Sequence, residues 1–98
     1  MNTSSNNVVT VRPAPRFDFN SYREFRDLID KALSGAGVSC LVIDMGEVQY
    51  MDSAALGILL YVRDRAKATG REVELANCRG AALEVLEIAN FPRIFTMR

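Results

Sequence analysis

Three aspartates and one serine are the side chains of this chain best placed to do chemistry. Asp44 ends an apolar run, Asp18 follows Arg16-Phe17, and the pair Asp52-Ser53 stands between that run and a second apolar segment. If the segments carrying Asp18 and Asp44 were adjacent and parallel, the three carboxylates would gather at one end of a sheet, as a magnesium or acyl-phosphate site requires. The alternative is that they cap helices and satisfy loop N–H groups. Lys31 and Lys67 fall on helices far from that end, so no lysine is spaced to hold a phosphate there. The chain has no histidine, which removes the commonest general base and metal ligand and excludes Ser-His-Asp and Cys-His catalysis. The glycines are isolated and form no phosphate-binding loop, so no motif supports nucleotide binding. Cys40 and Cys78 lack metal-ligand spacing and read as reduced thiols. The expectation is no catalytic residue, no cofactor and no metal, and a protein that is not an enzyme.

Ser53 offers a different chemistry. The order apolar run, short polar connection, apolar helix puts it at a strand-loop-helix junction, where Ser and Asp oxygens cap the free N–H groups of a first turn. It is also a modifiable hydroxyl. A phosphate there adds about −1.5 to −2 charge beside Asp52 and near Asp18. The helix N-terminus tolerates an anion, so the fold would survive the change. A partner resting on Ala54, Ile58 and Tyr61 would meet a dianion that has to be desolvated.

The rest of the chain must position that junction. Ninety-eight residues make one small domain with a single core. Twelve basic and twelve acidic side chains cancel, which gives no basic surface for nucleic acid. The longest strongly apolar stretch, Ala54 to Val62, is about half of the roughly 20 residues that cross a membrane. With no N-terminal signal pattern, a cytoplasmic location is expected. Residues 1–7 are polar and uncharged and are expected to be disordered, with 8–98 forming the domain.

Val8-Val9-Thr10-Val11 is β-branched and reads as a strand, stopped by Pro13 and Pro15 because proline has no N–H to offer a ladder. Arg16 to Phe19 is expected to return as the second strand of a hairpin. Ser21-Tyr22-Arg23-Glu24 has the form of a capping box, and Tyr22, Phe25, Leu28, Ile29, Ala32 and Leu33 follow at helical spacing until Gly35 and Gly37. Val38 to Met45 is apolar almost throughout, which predicts a strand covered on both faces or flanked by strands on both sides in a mixed sheet. The second helix, Ser53 to Thr69, carries a core stripe at Ala55, Leu59, Val62 and Ala66. Its first half also has Leu56, Ile58, Leu60 and Tyr61 on other sides, so either a neighbouring element covers them or part is held for a partner. Glu72 to Ala76 alternates as a strand, Gly80 to Ala89 is a third helix with Leu83, Val85, Leu86 and Ala89 inward, and Arg93 to Thr96 is a last short strand. Alternating helices and strands call for right-handed crossovers and a largely parallel sheet in that part.

The run Val42-Ile43-Asp44-Met45, followed by Tyr50-Met51-Asp52-Ser53-Ala54-Ala55-Leu56-Gly57, closely resembles the signature of the STAS domain family, the anti-sigma factor antagonists. Arg16-Phe17-Asp18, Gly70-Arg71-Glu72-Val73 and Ile88-Ala89-Asn90-Phe91 extend the likeness over most of the chain. The resemblance implies an α/β STAS fold, a mixed sheet of about five strands with three to four helices packed mainly on one face. It implies a regulatory binding module that engages an anti-sigma factor serine kinase, is phosphorylated at Ser53 and released, and is restored by a PP2C-type phosphatase. The contact residues it implies are Asp18, Asn20, Tyr50, Met51, Asp52, Ser53, Ala54, Ile58 and Tyr61. It implies no direct contact with nucleic acid and no membrane insertion, and it leaves open a weak homodimer through the exposed hairpin. Pro15 departs from the family's turn glycine, and Ala54 and Ala55 from its more usual Ser and Gly. The family also includes unphosphorylated adaptor subunits of membrane lipid-transport assemblies, which stand as the alternative.

Overall fold

A computed structural model describes residues 7–35 and 37–98; most of the expected disordered segment, residues 1–6, lies outside them. The chain forms β1 (Val8–Val11), β2 (Arg16–Phe17), α1 (Tyr22–Leu33), β3 (Cys40–Asp44), β4 (Tyr50–Met51), α2 (Ser53–Ala68), β5 (Glu72–Ala76), α3 (Gly80–Ile88) and β6 (Thr96–Met97). Short 3-10 turns at Phe19–Ser21 and Phe91–Arg93 join β2 to α1 and α3 to β6.

Four strands make one sheet in the order β1-β3-β5-β6, and β2 pairs with β4 in a separate two-stranded ladder. Each of these pairings is parallel, as helical crossovers require. The α/β class and the largely parallel second half agree with the sequence reading, whereas the mixed sheet and the β1–β2 hairpin do not. The prolines supply the reason. Pro13 and Pro15 keep the chain extended and donate nothing to β1. The carbonyl of Pro15 instead accepts from the N–H groups of Gln49 and Tyr50, at 2.8 and 3.1 Å, which fixes β2 beside β4.

Alternation sorts the four-stranded sheet into a face covered by the helices and an opposite one. Val11, Ile43 and Leu75 stand in register on the covered face and join one apolar cluster with Phe25, Ile29, Leu59, Val62 and Leu86 from the three helices. Thr10, Val42 and Glu74 face the other way. The central strand β3 is therefore flanked by β1 and β5 and covered by helices on one face only.

Helix α1 buries Phe25, Ile29 and Leu33, three residues on one stripe. Its expected capping box at Ser21 and Glu24 does not form. The Ser21 hydroxyl is already committed, donating to the carbonyl of Arg16 at 2.6 Å and accepting from the N–H of Asp18 at 3.3 Å. Arg71 then ties the far end of α1 to the sheet, its guanidinium donating to the carbonyls of Leu33, Gly35 and Val38.

A shallow apolar groove at two acidic N-caps

Parallel pairing of β2 with β4 sets Arg16 beside Tyr50 and Phe17 beside Met51, so Asp18 and Asp52 leave the strand ends side by side. Each then starts a helical turn. Asp18 Oδ1 accepts from the N–H of Asn20 at 2.9 Å, and Asp52 Oδ1 accepts from the N–H groups of Ala54 and Ala55 at 3.0 and 3.2 Å. The N-cap of α2 is thus Asp52, and Ser53 is its first helical residue, exposed to solvent. Asp18 is the buried member of the pair, 6% exposed, and its second oxygen accepts from Arg16 Nε at 2.7 Å. The same guanidinium lies 4.4 Å above the Tyr50 ring.

Asp44 stands apart from these two. Its carboxyl is held below the usual carboxylate range, first by the Asn77 amide and then by the Gly46 N–H, with Arg12 adding a favourable charge. It is a loop-organising residue at the end of β3, and among the described residues no group of three or more metal-ligating side chains is found. The gathering of three carboxylates considered from the sequence does not occur. Both cysteines are free; burial pushes the Cys78 thiol up to about 11 and raises that of Cys40.

Beyond Ser53 the surface opens into a groove of 310 Å³ lined by Phe19, Tyr22, Ala54, Gly57, Ile58 and Tyr61. Of the contact residues expected from the sequence, Ala54 and Tyr61 line its sides and Ile58, 4% exposed, forms its floor. Asn20, Tyr50 and Ser53 are exposed but do not line it. Met51, at 6% exposure, joins the apolar core cluster and does not line the groove. Helix α2 buries one flank, Ala55, Ile58, Leu59, Val62 and Ala66, and no neighbouring element among the described residues covers the rest of its first half completely.

Sequence reasoning missed Phe19, Tyr22 and Gly57 as groove residues. Phe19, expected in a strand, is 75% exposed because the Asp18 cap turns the chain into a 3-10 helix immediately after Phe17. The signal was present in Asp18 and Asn20, turn-forming residues on either side of it. Gly57 is exposed in the middle of α2, and a Cβ there would meet nothing within 4 Å. A larger cleft of 660 Å³ lies elsewhere, between Gly46 to Gln49 and the start of α3, and takes in none of the expected site residues.

A STAS domain family model matches residues 1–98. A STAS-domain containing protein of Pseudomonas aeruginosa (strain UCBPP-PA14) is 34% identical over 87 residues, covering 89% of this chain and 84% of that protein. Among solved structures, a sulfate transporter family protein from Wolinella succinogenes superposes with a TM-score of 0.77 at 14% identity, over 90% of this chain and 70% of that one. The anti-sigma factor antagonist SpoIIAA in its unphosphorylated form superposes with a TM-score of 0.69 at 19% identity, over 100% of this chain and 83% of that one. At these identities the two structures establish a shared fold.

Proposed function

The chain belongs to the STAS domain family, and from that premise we propose that it is an anti-sigma factor antagonist, a binding module that docks an anti-sigma factor serine kinase and is released when that kinase phosphorylates Ser53. A PP2C-type phosphatase returns it to the binding form, in the cytoplasm. The observation that carries this reading is the position of Ser53: exposed, first in α2, following the acidic cap Asp52, and next in the chain to Ala54, which lines an exposed apolar groove.

The local hydrogen bonding supports a switch that acts on docking and leaves the fold intact. Asp52 already occupies the N–H groups of Ala54 and Ala55, so a phosphate on Ser53 displaces no bond of the helix and stays directed to solvent. The helix dipole favours it while the neighbouring carboxylates oppose it. Closing a partner over the groove would then require desolvating a dianion with no buried cation among the described residues to receive it. Among the described residues no helix is long and apolar enough to cross a membrane.

The test is a phosphopeptide map, with intact mass, of the protein isolated from its own cells in resting and stressed states. The expected result is a phosphate on Ser53 whose occupancy changes between the two. A serine unmodified in every state would sink the switch and favour the constitutive adaptor of a lipid-transport assembly.

A further inference from the structure

Two features of the groove say what chemistry its occupant must have. The first is Gly57. Among the described residues nothing requires a glycine there, since a Cβ would meet no atom within 4 Å, and glycine weakens a helix interior. Bare helix backbone beside an apolar floor is where a second helix can pack at the shortest interaxial distance, with its ridge resting where a side chain would stand.

The second is charge. Each tyrosine wall of the groove carries an arginine. The Arg26 guanidinium lies 6.0 Å from the centroid of the Tyr22 ring, and Arg65 donates to the Tyr61 hydroxyl at 3.1 Å. Between them stands one carboxylate, Asp30, which bonds Arg65 and lies 3.9 Å from Arg26. Asp27 adds a second carboxylate within electrostatic reach of Arg26, so this end is balanced in net charge. The charged groups that touch the groove's tyrosine walls are nonetheless the two guanidiniums, while Asp64 on the same helix faces Arg63 at 3.6 Å.

We infer that the occupant is an acidic amphipathic helix of the partner protein, crossing α2 at Gly57, with its apolar stripe on Tyr22, Ala54, Ile58 and Tyr61 and its carboxylates at Arg26 and Arg65. The inference rests on the groove being the docking site and adds the partner's chemistry. It also gives the switch its sign. Ser53 lies roughly 18 Å along the axis from Arg65 at ~1.5 Å per residue. An acidic helix of three or more turns is therefore held at one end and repelled by a phosphate at the other.

The test uses the full chain and two synthetic helical peptides with the same leucine stripe, one flanked by glutamates and the other by lysines. Binding is followed by amide chemical shifts. The glutamate peptide is expected to shift the amides of Phe19, Tyr22, Ala54, Gly57, Ile58 and Tyr61 and to bind at least tenfold tighter than the lysine peptide. Gly57→Leu, a helix-favouring change, is expected to weaken it at least tenfold. Arg26→Glu with Arg65→Glu, its folding confirmed by circular dichroism, is expected to reverse the peptide preference. Equal affinity for the two peptides, shifts elsewhere, or an indifferent Gly57→Leu would overturn the inference. So would concentration-dependent dimerisation that shifts the same amides, which would assign the groove to a second copy of this chain. None of these readouts involves phosphate, so their failure is separable from failure of the Ser53 switch, which the phosphopeptide map reads.

Discussion

Two flanks of α2 have opposite relations to solvent although both are apolar. Ala55, Leu59, Val62 and Ala66 are fully covered by the sheet and the other helices, whereas Ala54, Gly57 and Tyr61 line an open groove with Ile58 at the boundary. The covered flank is bound by packing density, where a lost methylene is felt. The open flank has no such constraint, and on the proposed function its residue types answer to the partner that docks there. One helix can therefore be apolar almost all round without being a core helix, because the fold consumes one side only.

Truncating one side chain on each flank separates the two most directly. Leu59→Ala, at a site with no exposure, is expected to cost about 2–5 kcal/mol. Chemical denaturation should show the lowered midpoint. Tyr61→Ala, at 36% exposure, is expected to cost less than half as much. Equal losses at the two positions would mean that the groove is part of the core.

The next effect tests what starts the helix. Asp52→Ala removes the acceptor for the N–H groups of Ala54 and Ala55 and is expected to cost about 0.5–2 kcal/mol. Asp52→Asn, which keeps an acceptor oxygen, should restore most of it. A full loss in Asp52→Asn as well would show that the charge, and not the cap, sustains α2.

The same contrast explains what could be read from the sequence. The covered flank of α2, the buried face of α1 and the alternation of helix and strand after α1 were legible because each is written in a period long enough to count. The parallel pairing of β2 with β4 was not, since the two strands are two residues long and carry no period. Their pairing depends on the Pro15 carbonyl reaching Gln49 and Tyr50, a contact with no sequence signature. The junction at Asp52 and Ser53 was legible from residue type, and so was part of the apolar surface following it. The other wall of the groove, Phe19 and Tyr22, was not, because it is brought there by a 3-10 turn that depends on the Asp18 cap.

A smaller effect of opposite sign sharpens the contrast. Gly57→Ala is expected to stabilise the protein by about 0.5–1 kcal/mol, because alanine loses less backbone freedom in a helix and the added Cβ meets nothing. A destabilised Gly57→Ala would show that the glycine serves the fold.

The smallest expected effect is at Ser53. An acidic side chain in the first turn of α2 gains from the helix dipole by roughly 0.3–1 kcal/mol at low ionic strength, and the adjacent Asp52 carboxylate takes back part of that gain. Both interactions are exposed and screened by salt. Ser53→Asp should therefore move the stability by less than about 0.5 kcal/mol, with the shift shrinking further in salt, as paired urea melts at low and high ionic strength would show. The same variant is expected to lose binding to the anti-sigma factor kinase. A binding loss without a stability loss is what separates a docking switch from an unfolding one. A variant that lost both would place Ser53 with the covered flank, and the division of α2 into a side for the fold and a side for the partner would fail at its first residue.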